Sequence, residues 1–200
     1  MPVPATFPAS ADRPLHPHPA DAAPVLALHA NVGADRALLH LRYTLAGHLA
    51  QVRVPAPLAE PATRPSDGLW RHTCFELFVA APEGPGYTEW NFAPSGAWAA
   101  YRFRAERERA ANAGPLPAPR LACRADAREL VLDVWLPRAA LGAGATQQPG
   151  MGLTAVIEAP DGALTYWALH HPGARPDFHH RAGWTARLSP DPTPPHETRP

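Results

Sequence analysis

Residues 69–104 read LWRHTCFELFVAAPEGPGYTEWNFAPSGAWAAYRFR and hold three of the six tryptophans. Three short segments of this stretch alternate residue by residue, and two Pro/Gly-rich turns separate them. Successive side chains of an extended strand point to opposite faces, so alternation sorts them before any fold is assumed. In residues 72–80, Thr73, Phe75, Leu77 and Val79 share one face, and His72, Cys74, Glu76 and Phe78 share the other. In YTEWNF, Thr88, Trp90 and Phe92 oppose Tyr87, Glu89 and Asn91. One face is core. The other sets carboxylates and an amide beside aromatic rings, as a ligand-binding sheet face would.

The same parity continues downstream. Leu132, Val134 and Leu136 oppose Asp133 and Trp135. Leu153, Ala155 and Ile157 oppose Thr154, Val156 and Glu158, while Trp167 and Leu169 oppose Tyr166 and His170. Four strands thus each offer a polar residue next to an aromatic or small one, suited to hydrogen-bonding hydroxyls and to stacking on a sugar or a planar cofactor. A solvated face of an antiparallel sheet also carries Glu and Asp. The Trp, Tyr and His content is costly on such a face and favours a site.

About eleven strands are expected, near residues 25–31, 36–45, 49–54, 72–80, 87–93, 97–104, 119–124, 129–136, 152–159, 164–170 and 183–188. Most are bounded by Pro, Gly, Asn or Asp. Asp161-Gly162 reads as a two-residue hairpin turn. Helix is scarce, limited to a turn or two in residues 105–113 and one Pro-started turn at 137–141. Many short strands with little helix specify an all-β fold, an antiparallel β-sandwich or barrel of about 10–11 strands. The domain spans residues 14–188, between a Pro-rich N-terminal tail (1–13) and a Pro-rich C-terminal tail (189–200).

Composition narrows the partners. The net charge is zero, so no electrostatic footprint for nucleic acid or an acidic membrane surface is present. All 18 basic residues are Arg, and with 27 Pro this reads as coding bias. Two cysteines make no disulfide framework. Neither a secretory signal nor a membrane-spanning apolar run is visible, and a cytoplasmic location is expected.

Two motifs invite chemistry. His170-His171 and Asp177 to His179-His180 supply metal-ligand types, with His171, Asp177 and His179 as the candidate ligands. Their spacing matches no established metal pattern, and hydrogen bonding within the loop is the alternative. Glu76 and Glu89 on neighbouring strands fit the separation of a glycosidase pair. Ser95, between Pro94 and Gly96, is a turn residue and not the nucleophile of a GxSxG elbow. Cys74 beside Glu76 has its thiol pKa raised, which suits a semi-buried filler.

The sequence Trp70-x-His72-x-Cys74-Phe75-Glu76-x-Phe78 precedes Tyr87-x-Glu89-x-Asn91-Phe92-x-Pro94-Ser95-Gly96-x-Trp98-x-x-Tyr101. Tyr166-Trp167-Ala168-Leu169-x-His171-Pro172 and Pro176-Asp177-Phe178-His179 follow. Together these blocks, across residues 14–188, resemble bacterial DOMON-like domain proteins, relatives of the family 9 carbohydrate-binding modules. The resemblance implies a β-sandwich that binds a sugar or haem without chemistry. Haem ligation in such domains uses Met and His; here only Met1 and Met151 are present, beside eleven His.

The expected function is therefore non-catalytic binding of a small, carbohydrate-like ligand on the polar–aromatic face. A haem protein and a metal-dependent or glycosidase-like enzyme are the alternatives. The expected ligand-binding residues are Trp70, His72, Glu76, Glu89, Asn91, Trp98, Trp135, Tyr166 and His170.

Overall fold

The structure is a computed structural model, and it describes residues 11–188 apart from 25, 61, 63–64, 112–113 and 142–148. Among these residues lie eleven strands and four short 3-10 turns, with no α-helix. Among the described residues no helix is long and apolar enough to cross a membrane. All pairings between strands are antiparallel, as the hairpin-rich sequence requires.

Six strands make the first layer, in the order β7 (Glu108–Arg109), β6 (Trp98–Ala105), β5 (Tyr87–Phe92), β4 (Cys74–Ala80), β10 (Met151–Glu158) and β11 (Leu164–Ala168). The second layer runs β2 (Leu26–Ala34), β3 (Leu38–Gly47), β9 (Glu129–Pro137) and β8 (Arg120–Ala125). Strand β1 (Arg13–Pro17) joins them. Its Arg13–Leu15 half pairs with β2, and its His16–Pro17 half pairs with β11.

The two inner faces close on one core. Phe75, Leu77, Val79, Trp90, Phe92, Leu153, Ala155, Ile157 and Trp167 of the first layer meet Leu39, Leu41, Tyr43, Leu45, Leu132, Val134 and Leu136 of the second. Those of β4, β5, β9, β10 and β11 are residues that parity assigns to the apolar side. Tyr43 pins the layers together: its ring lies 5.0 Å from that of Phe75, and its hydroxyl donates to the Glu76 carbonyl at 2.6 Å. The all-β sandwich expected from the alternation is the observed fold.

Several local expectations change. Residues 13–17 form a strand although the sequence has prolines at 14 and 17. Each half of β1 pairs on one side only, which leaves the other side open for a residue lacking an N–H. Residues 49–54 are not a strand: Leu49–Gln51 form a 3-10 turn that buries Leu49, with Val52 buried beyond it. The expected helical turn at 105–113 is instead the β6–β7 hairpin, in which Ala105 pairs with Glu108. The β10–β11 turn holds three residues, Pro160 to Gly162, because Ala159 and Ala163 already bond to each other; Gly162 takes the left-handed conformation at φ +90°. Residues 183–188 contribute one bridge, Met151 to Ala186, after a 3-10 turn at Arg181–Gly183. Of the expected tails only residues 11–13 are described, and Arg13 is already strand.

A cleft on the outer face of the first sheet

Register brings the acidic residues of β4 and β5 together. Glu76 stands opposite Asn91, and Phe78 opposite Glu89, so the two carboxyls are diagonal neighbours on one face. That face, turned away from the core, forms the floor of a cavity of about 460 Å³. Glu76, Glu89 and Val156 lie along the floor with Phe78 and Phe103, and Trp70 and Tyr166 stand at the sides. Two segments complete the enclosure: residues 176–179 cross above it, and Arg107 and Arg109 come from the β6–β7 hairpin.

The floor is polar yet nearly dry. Glu76 is 2% exposed, with Thr154 Oγ1 donating to one carboxyl oxygen (3.3 Å) and the Cys74 thiol to the other (3.5 Å). Burial, reinforced by the charge of Glu89, pushes the Glu76 carboxyl up to about 8. Glu89 is 6% exposed; Asn91 Nδ2 donates to its Oε1 at 2.6 Å. Burial raises the Glu89 carboxyl too, and the Asn91 hydrogen bond with the charges of Arg109 and Arg107 limits the rise. Cys74 is fully buried, and burial with the adjacent Glu76 pushes its thiol well up, as the sequence implied.

His179 is the deepest contribution of the covering segment. Its ring sits edge-on to Phe78 and Phe103, both at 5.3 Å. The Tyr87 hydroxyl lies 2.6 Å from its Nδ1, and Tyr87 itself stacks flat on Phe103 at 4.5 Å. Burial holds the imidazole down at about 4, with the positive charge of Arg107 acting in the same direction. The segment is anchored by Asp177, which accepts from Arg107 Nη2 (2.7 Å) and from the His179 backbone N–H (3.0 Å). Arg107 adopts φ +58°, an uncommon conformation for a side-chain-bearing residue, and its backbone N–H donates to the Tyr87 hydroxyl at 3.0 Å. Such strain persists only where the surroundings hold it. Arg109 lies over the Tyr101 ring at 4.1 Å, and Tyr101 in turn meets Trp70 edge-on at 5.7 Å.

Of the residues expected to bind, Trp70, Glu76, Glu89 and Tyr166 line this cavity. Asn91 is fully buried and acts beneath it, through Glu89. The rest lie elsewhere. His72 precedes the first residue of β4 and turns to Glu158, where its Nδ1 lies 2.8 Å from one carboxylate oxygen while Arg53 binds the other. Burial works against the Glu158 charge, but those partners hold its carboxyl below the ordinary value. Trp98 points into the core, with Nε1 donating to the Ala62 carbonyl. His170 is exposed beyond the end of β11.

Trp135 and Asp133 are on the outer face of the second layer, with the core between them and the cleft. There Trp135 stacks on His40 (5.2 Å) and under Arg120 (4.2 Å). Asp133 accepts Arg42 in a two-point contact and lies 2.9 Å from His40; against the effect of burial these hydrogen bonds hold it at about 2. Parity correctly put Asp133 and Trp135 outside the core. It does not say outside which sheet.

The three metal candidates take separate partners: His171 Nε2 the carbonyl of His16, Asp177 the guanidinium of Arg107, and His179 the Tyr87 hydroxyl. Among the described residues no group of three His, Cys, Asp or Glu could hold an ion. The haem alternative gains no support from the residues present: Met151 is fully buried in the core, and among the described residues the cleft lining carries a single imidazole.

Lining residues outside the expected ligand-binding set include Phe103, Arg107, Arg109, Phe178 and His179. The last two sit in a loop with no periodicity to betray their direction, although the Pro-Asp-Phe-His block itself was conspicuous. The hairpin bearing the two arginines turns without Gly, Asn or Asp at its centre, so no turn signal marks it.

No protein-family model matches the sequence, and no curated protein does. Solved structures do match. A candidate carbohydrate-binding protein from Bacteroides uniformis superposes with a TM-score of 0.63 at 16% identity, over 90% of this chain and 87% of that one. A family 9 carbohydrate-binding module from Caldicellulosiruptor kristjanssonii in complex with cellotriose gives 0.61 at 6% identity, over 96% and 87%. A module of that family from the same organism in complex with glucose gives 0.54 at 7% identity, over 87% and 83%. The fold is that of the family 9 carbohydrate-binding modules.

Proposed function

We propose that this protein is a non-catalytic carbohydrate-binding module that takes a small sugar in the cleft above Glu76 and Glu89. One observation carries this: the cavity combines a buried polar floor with walls of Trp70, Tyr166 and Phe178, in a fold shared with modules whose structures hold cellotriose and glucose. Its volume lies within the ~300–1,000 Å³ of ordinary small-ligand sites. Sugars present hydroxyls at their edges and C–H surfaces on their faces, so they need both kinds of wall. The resemblance to DOMON-like domain proteins agrees with ligand binding.

The way the carboxyls are spent supports binding without catalysis. A glycosidase needs an acid and a base reaching opposite sides of one bond. Glu76 engages both oxygens with Thr154 and Cys74 and is almost sealed off.

Calorimetric titration of the full chain with glucose, cellobiose and cellotriose tests the proposal. Binding of at least one is expected, and Trp70→Ala should weaken it about tenfold without moving the unfolding midpoint. Absence of binding by all three at millimolar concentration overturns it.

A further inference from the structure

His179 Nε2 and Glu89 Oε2 face each other across the deep end of the cleft at 3.9 Å. That is too long for a hydrogen bond between them. Both atoms belong to residues lining the cavity, and no hydrogen bond from the described residues reaches either one. Glu89 is more than nine-tenths buried as a residue, and its Oε2 is what it leaves open to the cavity.

The protonation of the imidazole follows from its other nitrogen. The Tyr87 oxygen already accepts the Arg107 backbone N–H at 3.0 Å. Its own hydrogen has one acceptor within reach, His179 Nδ1 at 2.6 Å. The arrangement in which Tyr87 donates to Nδ1 puts the neutral ring's own hydrogen on Nε2. The cleft therefore ends in one N–H donor and one carboxylate acceptor, spaced so that a single oxygen at ~2.8 Å from each can bridge them.

We infer that the deep end of the cleft grips a neutral hydroxyl between His179 and Glu89, with Tyr87 as the positioning residue that fixes the imidazole tautomer, and that the site thereby selects neutral sugars over uronates. The inference rests on the carbohydrate-binding proposal. A hydroxyl donates to Oε2 and accepts from Nε2–H, which satisfies both atoms. A carboxylate has only lone pairs and would meet Glu89. The guanidiniums give a carboxylate little compensation, since Arg107 is bound to Asp177 at 2.7 Å and Arg109 lies against Tyr101, with Asp67 at 3.8 Å. Mismatch at a buried charged partner costs roughly tenfold to a hundredfold in affinity.

The test uses the full chain in two measurements. Long-range proton–nitrogen NMR correlations of the histidine rings, with His179→Gln for assignment, should show His179 neutral and protonated on Nε2. In Tyr87→Phe, whose ring keeps its stack on Phe103, the tautomers should mix. Calorimetry at neutral pH should then find glucose or cellobiose bound at least tenfold more tightly than glucuronate. Tyr87→Phe should weaken the neutral sugar several-fold, and His179→Leu tenfold or more, with His179→Gln recovering part of the loss because its amide can still donate.

A ring protonated on Nδ1 in the unmutated protein overturns the inference whether or not any variant folds. So does glucuronate bound as tightly as glucose, and in that case the carbohydrate proposal stands. Failure of every sugar, neutral and charged, removes the carbohydrate proposal and this inference with it.

Discussion

The indole of Trp184 occupies the space that a side chain at Gly152 would fill, its Cδ1 and Nε1 both pressed against that position. Gly152 faces the cleft side of β10, opposite Phe78 on β4. With no Cβ in the way, Trp184 lies stacked on Phe78 at 5.7 Å and edge-on to Tyr87 at 5.1 Å. Its Nε1 donates to the Phe178 carbonyl at 2.8 Å. One missing methyl thus seats the segment that carries Phe178 and His179 over the cleft.

Gly152→Ala should therefore damage stability and site together. A rigid indole cannot yield as a flexible chain end would, so it must shift, at ~1–3 kcal/mol for overpacking. Displacing Trp184 removes the support of the 176–179 segment. A lower urea midpoint, a shifted Trp emission and weaker sugar binding are expected in the same variant. Parental values for both stability and affinity would show that the two are not coupled.

Glu76 should make stability fall with rising pH. Its carboxyl is raised in the folded chain to about 8, against ~4.3 when unfolded. Below ~4.3 both states are protonated and nothing is lost. Between there and 8 the unfolded chain is ionised while the folded one must keep its proton, so stability declines by at most ~1.4 kcal/mol per pH unit and levels off above. Glu76→Gln lacks this dependence. Its urea midpoint relative to the parent should climb from mildly acidic to alkaline pH; a constant difference across that range contradicts the assignment.

Asp133 should act with the opposite sign. Its folded pKa is about 2, against ~3.9 unfolded, so its contribution is complete above ~4 and disappears as pH falls through 2. Asp133→Asn should cost ~1–3 kcal/mol at neutral pH, because Arg42 and His40 lose their shared acceptor. The gap between variant and parent should close in acid. Sugar affinity should not change, since Asp133 faces away from the cleft behind the whole core; a tenfold loss of binding would place it in the site after all.

Alternation decided much of the architecture. Every hydrophobic residue that parity put on the apolar side of β4, β5, β9 and β10, from Phe75 to Ile157, is in the inter-layer core. Glu76 and Glu89 share the opposite side, as expected. Where regular extension stops, the same logic misleads: His72 lies just before β4 and His170 just beyond β11, and neither reaches the cleft.

From its residues alone the chain specifies which side chains leave the core, because a strand's two-residue repeat is a property of the local backbone. Tertiary structure alone decides which of two outer faces they join and what covers it. Asp133 and Trp135 have the same parity as Glu76 yet belong to the other layer, since sheet membership depends on hydrogen bonds between distant strands. His179, in a loop without any repeat, enters the cleft because Trp184 has room to sit against Gly152.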